Sequence, residues 1–292
     1  MEVRTRQQLP QGWAATQNNL GEALRAQADR TEGTKGVELL AQAVTACQSA
    51  LEVYSREQLP QDWATTQNNL AIALSDQADR TEGTKGVELL AQAVTAYRSA
   101  LEVRTREQLP QGWAATQNNL GEALRAQAVR TEGTKGEELL AEAVTAYRSA
   151  LEVYTRHVLP QDWAITQDNL GSALRDQAAR TEGAKGEELL AQAVTAYRSA
   201  LEVRTREQLP QDWATTQNNL AIALRDQAAQ AEGPKAVDLL AQAITVFRSA
   251  LEVFSAEAFP LYHEQTEKRL KGCESLLMQA KLKLNKVKRR SQ

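Results

Sequence analysis

A single spacing governs this chain: Trp13, Trp63, Trp113, Trp163 and Trp213 stand 50 residues apart, and so do Pro10, Pro60, Pro110, Pro160, Pro210 and Pro260. The segment Thr16-Gln17-Asn18-Asn19-Leu20 recurs at Thr66, Thr116 and Thr216, and at Thr166 with Asp168 in place of the first Asn. A fixed period of this size marks a solenoid, in which each unit is too small to bury a core alone and stacks on its neighbours. The 292 residues therefore need no single central core.

Within one period the apolar spacing is helical throughout. In the second repeat Trp63, Gln67, Leu70, Leu74 and Ala78 follow at steps of three and four, one face of an amphipathic helix. Pro60 suits its first turn, where a missing N–H costs nothing, and Asp62 adds the charge that a helix N-terminus favours. This helix A is predicted over Pro60 to Arg80, with Gly83 ending it and Thr84 capping the next. Thr134-Lys135-Gly136-Glu137 has the form of a capping box, and Gly233-Pro234 supports the same boundary in the fifth repeat. Helix B carries Leu90, Ala93, Val94, Tyr97, Ala100 and Leu101 on one stripe and is expected to run to about Gln108. Each helix of roughly 20 residues spans about 30 Å. The short Gly-Thr-Lys-Gly connection forces an antiparallel return. No segment alternates with period two, so no strand is expected.

Charge and cysteine usage exclude several classes. The net charge of −3 is close to neutral, which gives no general pull toward nucleic acid or membrane. From Glu264 to Arg290 nine Lys/Arg face three Glu, an excess that leaves about −9 on the rest. Cys47 and Cys273 lie too far apart in the pattern for a disulfide framework or zinc site, and a reducing, cytoplasmic compartment is expected. The start has no apolar core region of a signal peptide, and no apolar run approaches spanning length. Neither Gly-rich phosphate loop nor nucleophile elbow is present, and His157 and His263 match no catalytic or metal spacing, so no enzyme, cofactor or metal is expected.

Leu20-Gly21…Leu24 and Leu70-Ala71…Leu74 in helix A, with Ala93, Tyr97, Ala100, then Ala143, Tyr147, Ala150 and Ala193, Tyr197, Ala200 in helix B, resemble the tetratricopeptide repeat. That family's usual unit is about 34 residues; the longer unit here looks most like the subgroup containing kinesin light chains and bacterial multi-repeat proteins. The resemblance covers the chain to about Leu261. It implies an all-α, right-handed α-solenoid of antiparallel helix pairs. Residues 1–9 are read as the tail of an incomplete repeat, so that the chain is expected to be a fragment or to begin inside an older array. Residues 10–259 are read as five full repeats, and 260–292 as a capping helix with a basic tail that includes Lys281, Lys283, Lys286 and Lys288.

The same resemblance implies that helix A lines a concave groove and that the position before Leu-Gly faces it. Those residues are Asn19, Asn69, Asn119, Asn169 and Asn219, preceded by Asn18, Asn68, Asn118, Asp168 and Asn218. An asparagine offers both donors and an acceptor, so a row of them can hold the backbone of an extended peptide; the competing reading is a purely structural ladder between helices. One turn on stand Arg25, Arg125, Arg175 and Arg225, with Ser75 breaking the row and Asp76, Asp176 and Asp226 beside it. These form either a mixed-charge groove wall or a solvated face with ion pairs of little energy. The carboxylate clamp of some chaperone-binding members is absent, because Ala15, Thr65, Ala115, Ile165 and Thr215 hold the early positions. The tryptophans are expected to wedge against the preceding helix B, and Arg98, Arg148, Arg198 and Arg248 to pair with Glu102, Glu152, Glu202 and Glu252 four residues on. The expected function is a non-enzymatic scaffold binding a peptide or partner helix. A self-assembling module is the alternative, through the open N-terminal face, and an RNA-binding array the weaker one, disfavoured by the repeat region's negative charge. Position 4 of the unit alternates, as Arg4, Tyr54, Arg104, Tyr154, Arg204 and Phe254, which points to copying in blocks of 100.

Overall fold

The computed structural model describes residues 5–290, with side chains to residue 286; expectations resting on Arg4, Lys288 or the first four residues lie outside them. The chain divides into two compact units, Met1–Val153 and Tyr154–Gln292. The described residues form eleven α-helices and no strand. In the first unit α1 (Pro10–Ala28), α3 (Pro60–Asp79) and α5 (Pro110–Val129) are the A helices, and α2 (Gly33–Leu51), α4 (Gly83–Leu101) and α6 (Gly133–Leu151) the B helices. In the second, α7 (Pro160–Ala178) and α9 (Pro210–Gln230) are A helices, α8 (Ala184–Ala200) and α10 (Gly233–Leu251) B helices, and α11 (Pro260–Arg290) closes the chain. Each A helix packs on its own B helix. Within a unit, each B helix packs on the next A helix, and successive A helices also touch. This is the helix-pair stacking of an α-solenoid.

Helix A begins where the sequence says it must. Each starting proline follows a leucine at φ near −137°, such as Leu59 and Leu209, because the proline ring pushes its predecessor out of the helical region. The turn before it is also repeated: the Leu9 amide donates to Thr5 O, as Leu59 does to Ser55 and Leu109 to Thr105.

Three boundaries differ from expectation. Helix B ends at Leu101, not near Gln108, because Val103 and Arg104 fold back onto the Ala100 carbonyl and the pre-proline turn takes the remaining residues. Gly83 does not terminate helix A, which ends at Asp79; it opens helix B, at φ +69°. That left-handed conformation is one which glycine alone adopts without strain. It places Thr84 and Thr134 inside the helix rather than at its cap, so the capping box does not form, and Glu82 and Glu132 take the cap position without a side-chain bond. Gly233-Pro234 does start α10 with proline in the first turn.

Small residues set the spacing between helices. Ala64, Ala93 and Ala100 are fully buried, and Gly121 lies so close to the Tyr147 ring that a Cβ there would come within 2.8 Å of it. Trp63 packs with Ala50 and Tyr54 at the end of the preceding helix B, as expected of a wedge. Trp13 and Trp213 also carry the guanidinium groups of Arg6 and Arg206 over their rings, at 5.6 and 5.9 Å. The closing helix ends the stacking pattern with a charge: where α3, α5, α7 and α9 bury Leu74, Leu124, Leu174 and Leu224, α11 has Glu274, bonded to Arg248 at 2.7 Å.

Candidate functional site

The paired asparagines project from the middle of each A helix, and the two rows have different surroundings. Within each unit the first of the pair faces the next repeat. Asn18 Oδ1 accepts from Asn69 Nδ2 at 3.2 Å, Asn68 Oδ1 accepts from the Thr116 hydroxyl at 3.3 Å, and Asn218 Oδ1 accepts from Thr266 and Arg269 at 3.4 and 3.2 Å. Asn118 donates to Asn119 at 3.4 Å. Within each unit this row is a ladder joining successive helices. The second row is more open: Asn19 is exposed, and Asn69, Asn119, Asn169 and Asn219 are half-buried. Asn69 also donates to Glu22 at 2.6 Å, and Asn219 donates to Asp168 at 3.4 Å. These bonds use amide nitrogens and leave the Asn69 and Asn219 side-chain carbonyls without a protein donor.

The exceptional member of the ladder, Asp168, has a local cause. Arg204, in the turn after α8, is buried at 9% exposure; it donates to Thr216 at 2.8 Å and lies 3.6 Å from the Asp168 carboxylate, itself 8% exposed. A buried guanidinium needs a counter-charge, and the change from Asn to Asp supplies it. Arg104 holds the same turn position in the first unit. It donates to the Thr116 and Thr65 hydroxyls at 3.1 Å and has Asn68 across from it instead of a carboxylate. Burial pushes its pKa down.

The arginine row, one turn along helix A, is also organised differently in the two units. Arg175 pairs with Asp176 at 3.1 Å and Arg225 with Asp226 at 2.7 Å, each beside its neighbour in sequence. In the first unit Arg25 has Ala26 beside it and reaches across to Asp76 of the next repeat at 3.5 Å. Arg125 stands near Glu122, which it holds down against a net rise. That rise comes from desolvation and from the nearby Asp79 and Asp76 charges. Asp76 is raised as well, by burial, with Arg25 opposing. Among these groups, between α3, α4 and α5, lies a cavity of about 240 Å³ lined by Ser75, Asp76, Asp79, Tyr97, Asn119 and Glu122.

Other arginines serve the fold. Arg80 donates to the Ala28 and Thr31 carbonyls, both at 2.9 Å, and Arg130 donates to the Ala78 carbonyl at 3.2 Å and to Asp79. Each guanidinium thus adds a second donor to a carbonyl at the end of the preceding A helix, where Ala28 and Ala78 already accept from Thr31 and Thr81. The 50-residue recurrence of Arg30, Arg80, Arg130 and Arg180 is the sequence signal for this role. Glu102 pairs with Arg56, not with Arg98, which bonds to Glu142; Glu152, Glu202 and Glu252 likewise pair with Arg106, Arg156 and Arg206. The turn brings each of these arginines to the next repeat's helix B terminus, so the expected four-residue pairing gives way to one of 46 residues. His157 is exposed, and His263 bonds the Phe254 carbonyl through Nδ1 at 2.8 Å. Cys47 takes the place that Tyr97 and Tyr147 hold in other repeats; burial, with Glu22 nearby, raises its thiol to about 11. Among the described residues no His, Cys, Asp and Glu group has metal-binding geometry, and no helix is long and apolar enough to cross a membrane.

Repeated hairpins, a repeated turn and a repeated inter-helix ladder decide the class. The chain is a helical repeat protein. No family model and no curated protein matches it. Among solved structures, one matching chain is described as "Computational Design of Self-Assembling Cyclic Protein Homooligomers"; it is 15% identical over 94% of this chain and 95% of that one, with a TM-score of 0.26. A superposition this loose carries no functional weight.

Proposed function

We propose that this helical repeat protein is a non-enzymatic scaffold of tetratricopeptide-like architecture that holds an extended peptide or a partner helix along the A-helix face. The observation that carries this reading is the second asparagine row. It recurs at every repeat and stays open to solvent, and at Asn69 and Asn219 it keeps acceptors that no protein group uses. Such acceptors fit backbone N–H groups of an extended chain, independent of its side chains. The first row belongs to the fold, so the binding assignment rests on Asn19, Asn69, Asn119, Asn169 and Asn219 and on the charged wall of Arg25, Arg125, Arg175 and Arg225. The test is to pan a displayed peptide library on the wild-type protein and measure the enriched peptides against the Asn69→Ala/Asn119→Ala/Asn169→Ala variant. Affinity is expected to fall at least about tenfold, or ~1.4 kcal/mol, with the helical circular dichroism unchanged. Equal binding by the variant overturns the reading.

A second reading, self-association, is supported by one observation. Leu20 on α1 is 44% exposed, whereas Leu70, Leu120, Leu170 and Leu220 at the same position are buried at 4–8%. A second copy covering that face would remove an apolar patch from water. Light scattering across a concentration series checks it: a mass that stays monomeric, or an association that Leu20→Glu leaves intact, rules it out.

A further inference from the structure

The array keeps an arginine at one helix A position in four of its repeats, as Arg25, Arg125, Arg175 and Arg225, and a serine in the other. The fourth repeat shows what that position is built to hold. Burial works against the Arg175 cation, yet Tyr197, Asp176 and Asp226 together outweigh it and favour the charged form. The counterparts of Tyr197 and Asp176 two repeats, or 100 residues, earlier are Tyr97 and Asp76. They remain in place, but the guanidinium between them is gone and a cavity of about 240 Å³ stands there. At about 30 Å³ per water, it is far larger than one or two solvent molecules need.

A second observation marks the cavity as incomplete. The Ser75 hydroxyl oxygen, in its wall, is shut off from solvent and has no hydrogen-bond partner; the neighbouring Tyr97 hydroxyl stands near it without the geometry of a bond. A buried polar atom left this way loses its water without gaining a protein partner. The carboxylates are also under-used. Asp76 receives one long contact, from Arg25 at 3.5 Å, and Asp79 one from Arg130 at 3.2 Å, whereas a carboxylate can accept about four bonds. Asp76 is raised, first by desolvation and against the pull of Arg25, while Glu122 stands exposed at the mouth of the cavity.

We propose that the Ser75 cavity is a socket for an arginine side chain of the protein partner, which takes the place of the arginine this repeat lacks. The assignment rests on the scaffold reading above and specifies one side chain of its ligand. Asp76 and Glu122 receive the fork of N–H donors, a geometry that suits guanidinium better than ammonium, and the Ser75 hydroxyl gains the partner it is missing. Because the socket belongs to the second repeat alone, it fixes the register of a peptide that the repeated asparagines would otherwise hold at any multiple of the repeat.

Short capped tripeptides test this directly: acetyl-Gly-Arg-Gly-amide, and the same peptide with neutral, isosteric citrulline. Titrated into the ¹⁵N-labelled full chain, the arginine peptide is expected to shift the Ser75, Asp76 and Glu122 amides with a Kd on the order of 1 mM, weakening as salt is added. Citrulline should bind at least about tenfold more weakly. Ser75→Arg fills the socket with a residue that other repeats already accommodate, so it folds, and it should abolish the shifts. Equal binding of citrulline, equal binding by Ser75→Arg, or no shift in the wild type overturns the socket. If library-selected peptides still need the asparagine row but show no arginine preference, the socket fails and the scaffold reading stands. If the asparagine variant binds them undiminished, the scaffold reading fails first.

Discussion

The two units place an arginine at the same turn position and neutralise it by different means. In the first, Arg104 is held by two threonine hydroxyls, with Asn68 beyond; in the second, the more deeply buried Arg204 has the Asp168 carboxylate at 3.6 Å. The contrast recurs on the A-helix face. The second unit pairs charges within a repeat, Arg175 with Asp176 and Arg225 with Asp226, whereas the first spreads them over neighbouring repeats and leaves Ser75 where a guanidinium belongs. Near-identical units therefore do not give equivalent surfaces. The second unit closes its A-helix charges into local pairs, and the first retains acids with few partners.

The largest effect should come from opening the closed side. Asp168→Ala strands a buried guanidinium, for which a loss of about 3–5 kcal/mol is expected, while Asn68→Ala at the same place in the first unit removes a neutral bond and costs about 1 kcal/mol. Urea unfolding of both variants, followed by hydrogen exchange in each unit, checks this; equal losses would show that the ion pair is not what separates the two turns. Next in size is Arg104→Tyr, which gives the first unit the residue found at Tyr54 and Tyr154 and removes a cation that burial disfavours. A gain of about 1 kcal/mol or more is expected, read as a rise in Tm. Arg204→Tyr should instead destabilise, because it removes the cation beside the buried Asp168 carboxylate, and adding Asp168→Asn should recover most of the loss. A cycle without that coupling breaks the comparison.

The helices were legible because their signals are local and multiplied. Pro60 after Leu59, the helical run from Trp63 to Ala78 and the alanines of helix B each specify backbone or packing, and five copies remove ambiguity. Helix ends were less legible. Thr134 and Glu137 have the spacing of a capping box, but Gly133 adopts a positive φ and starts the helix one residue before the threonine could cap it. Pairings across repeats were mostly illegible, because the relevant separations are near 46 and 51 residues: Arg56 finds Glu102, Asn69 finds Asn18, and Arg80 finds the Ala28 carbonyl. The site was half legible. The asparagine rows were visible, but which row faces the neighbouring helix depends on rotation of helix A, which sequence spacing does not fix. The departures from the repeat, Ser75 and Asp168, mark the informative places, since copying alone explains every position that agrees.

The smallest predicted effect separates the units by its sign. Burial raises the Asp76 carboxyl, with Arg25 opposing, so the folded state keeps its proton over a pH range in which the unfolded chain has released it. That contribution to stability is fully present below the unfolded value of about 3.9 and is lost as pH rises through the folded value. Asp76→Asn removes the dependence, so it should stabilise the first unit at pH 7, by less than ~1 kcal/mol given the partial exposure of the group. The advantage over wild type should close as the pH approaches 4. Asp176→Asn breaks the 3.1 Å pair with Arg175 and should destabilise at pH 7. Melting curves at pH 4 and 7 read both signs. In a Ser75→Arg background the Asp76→Asn gain should reverse to a loss, because Asp76 then has the neighbour that Asp176 has. If it does not reverse, the missing arginine is not the reason for the strained acid, and the two units differ for some cause other than the residue at position 75.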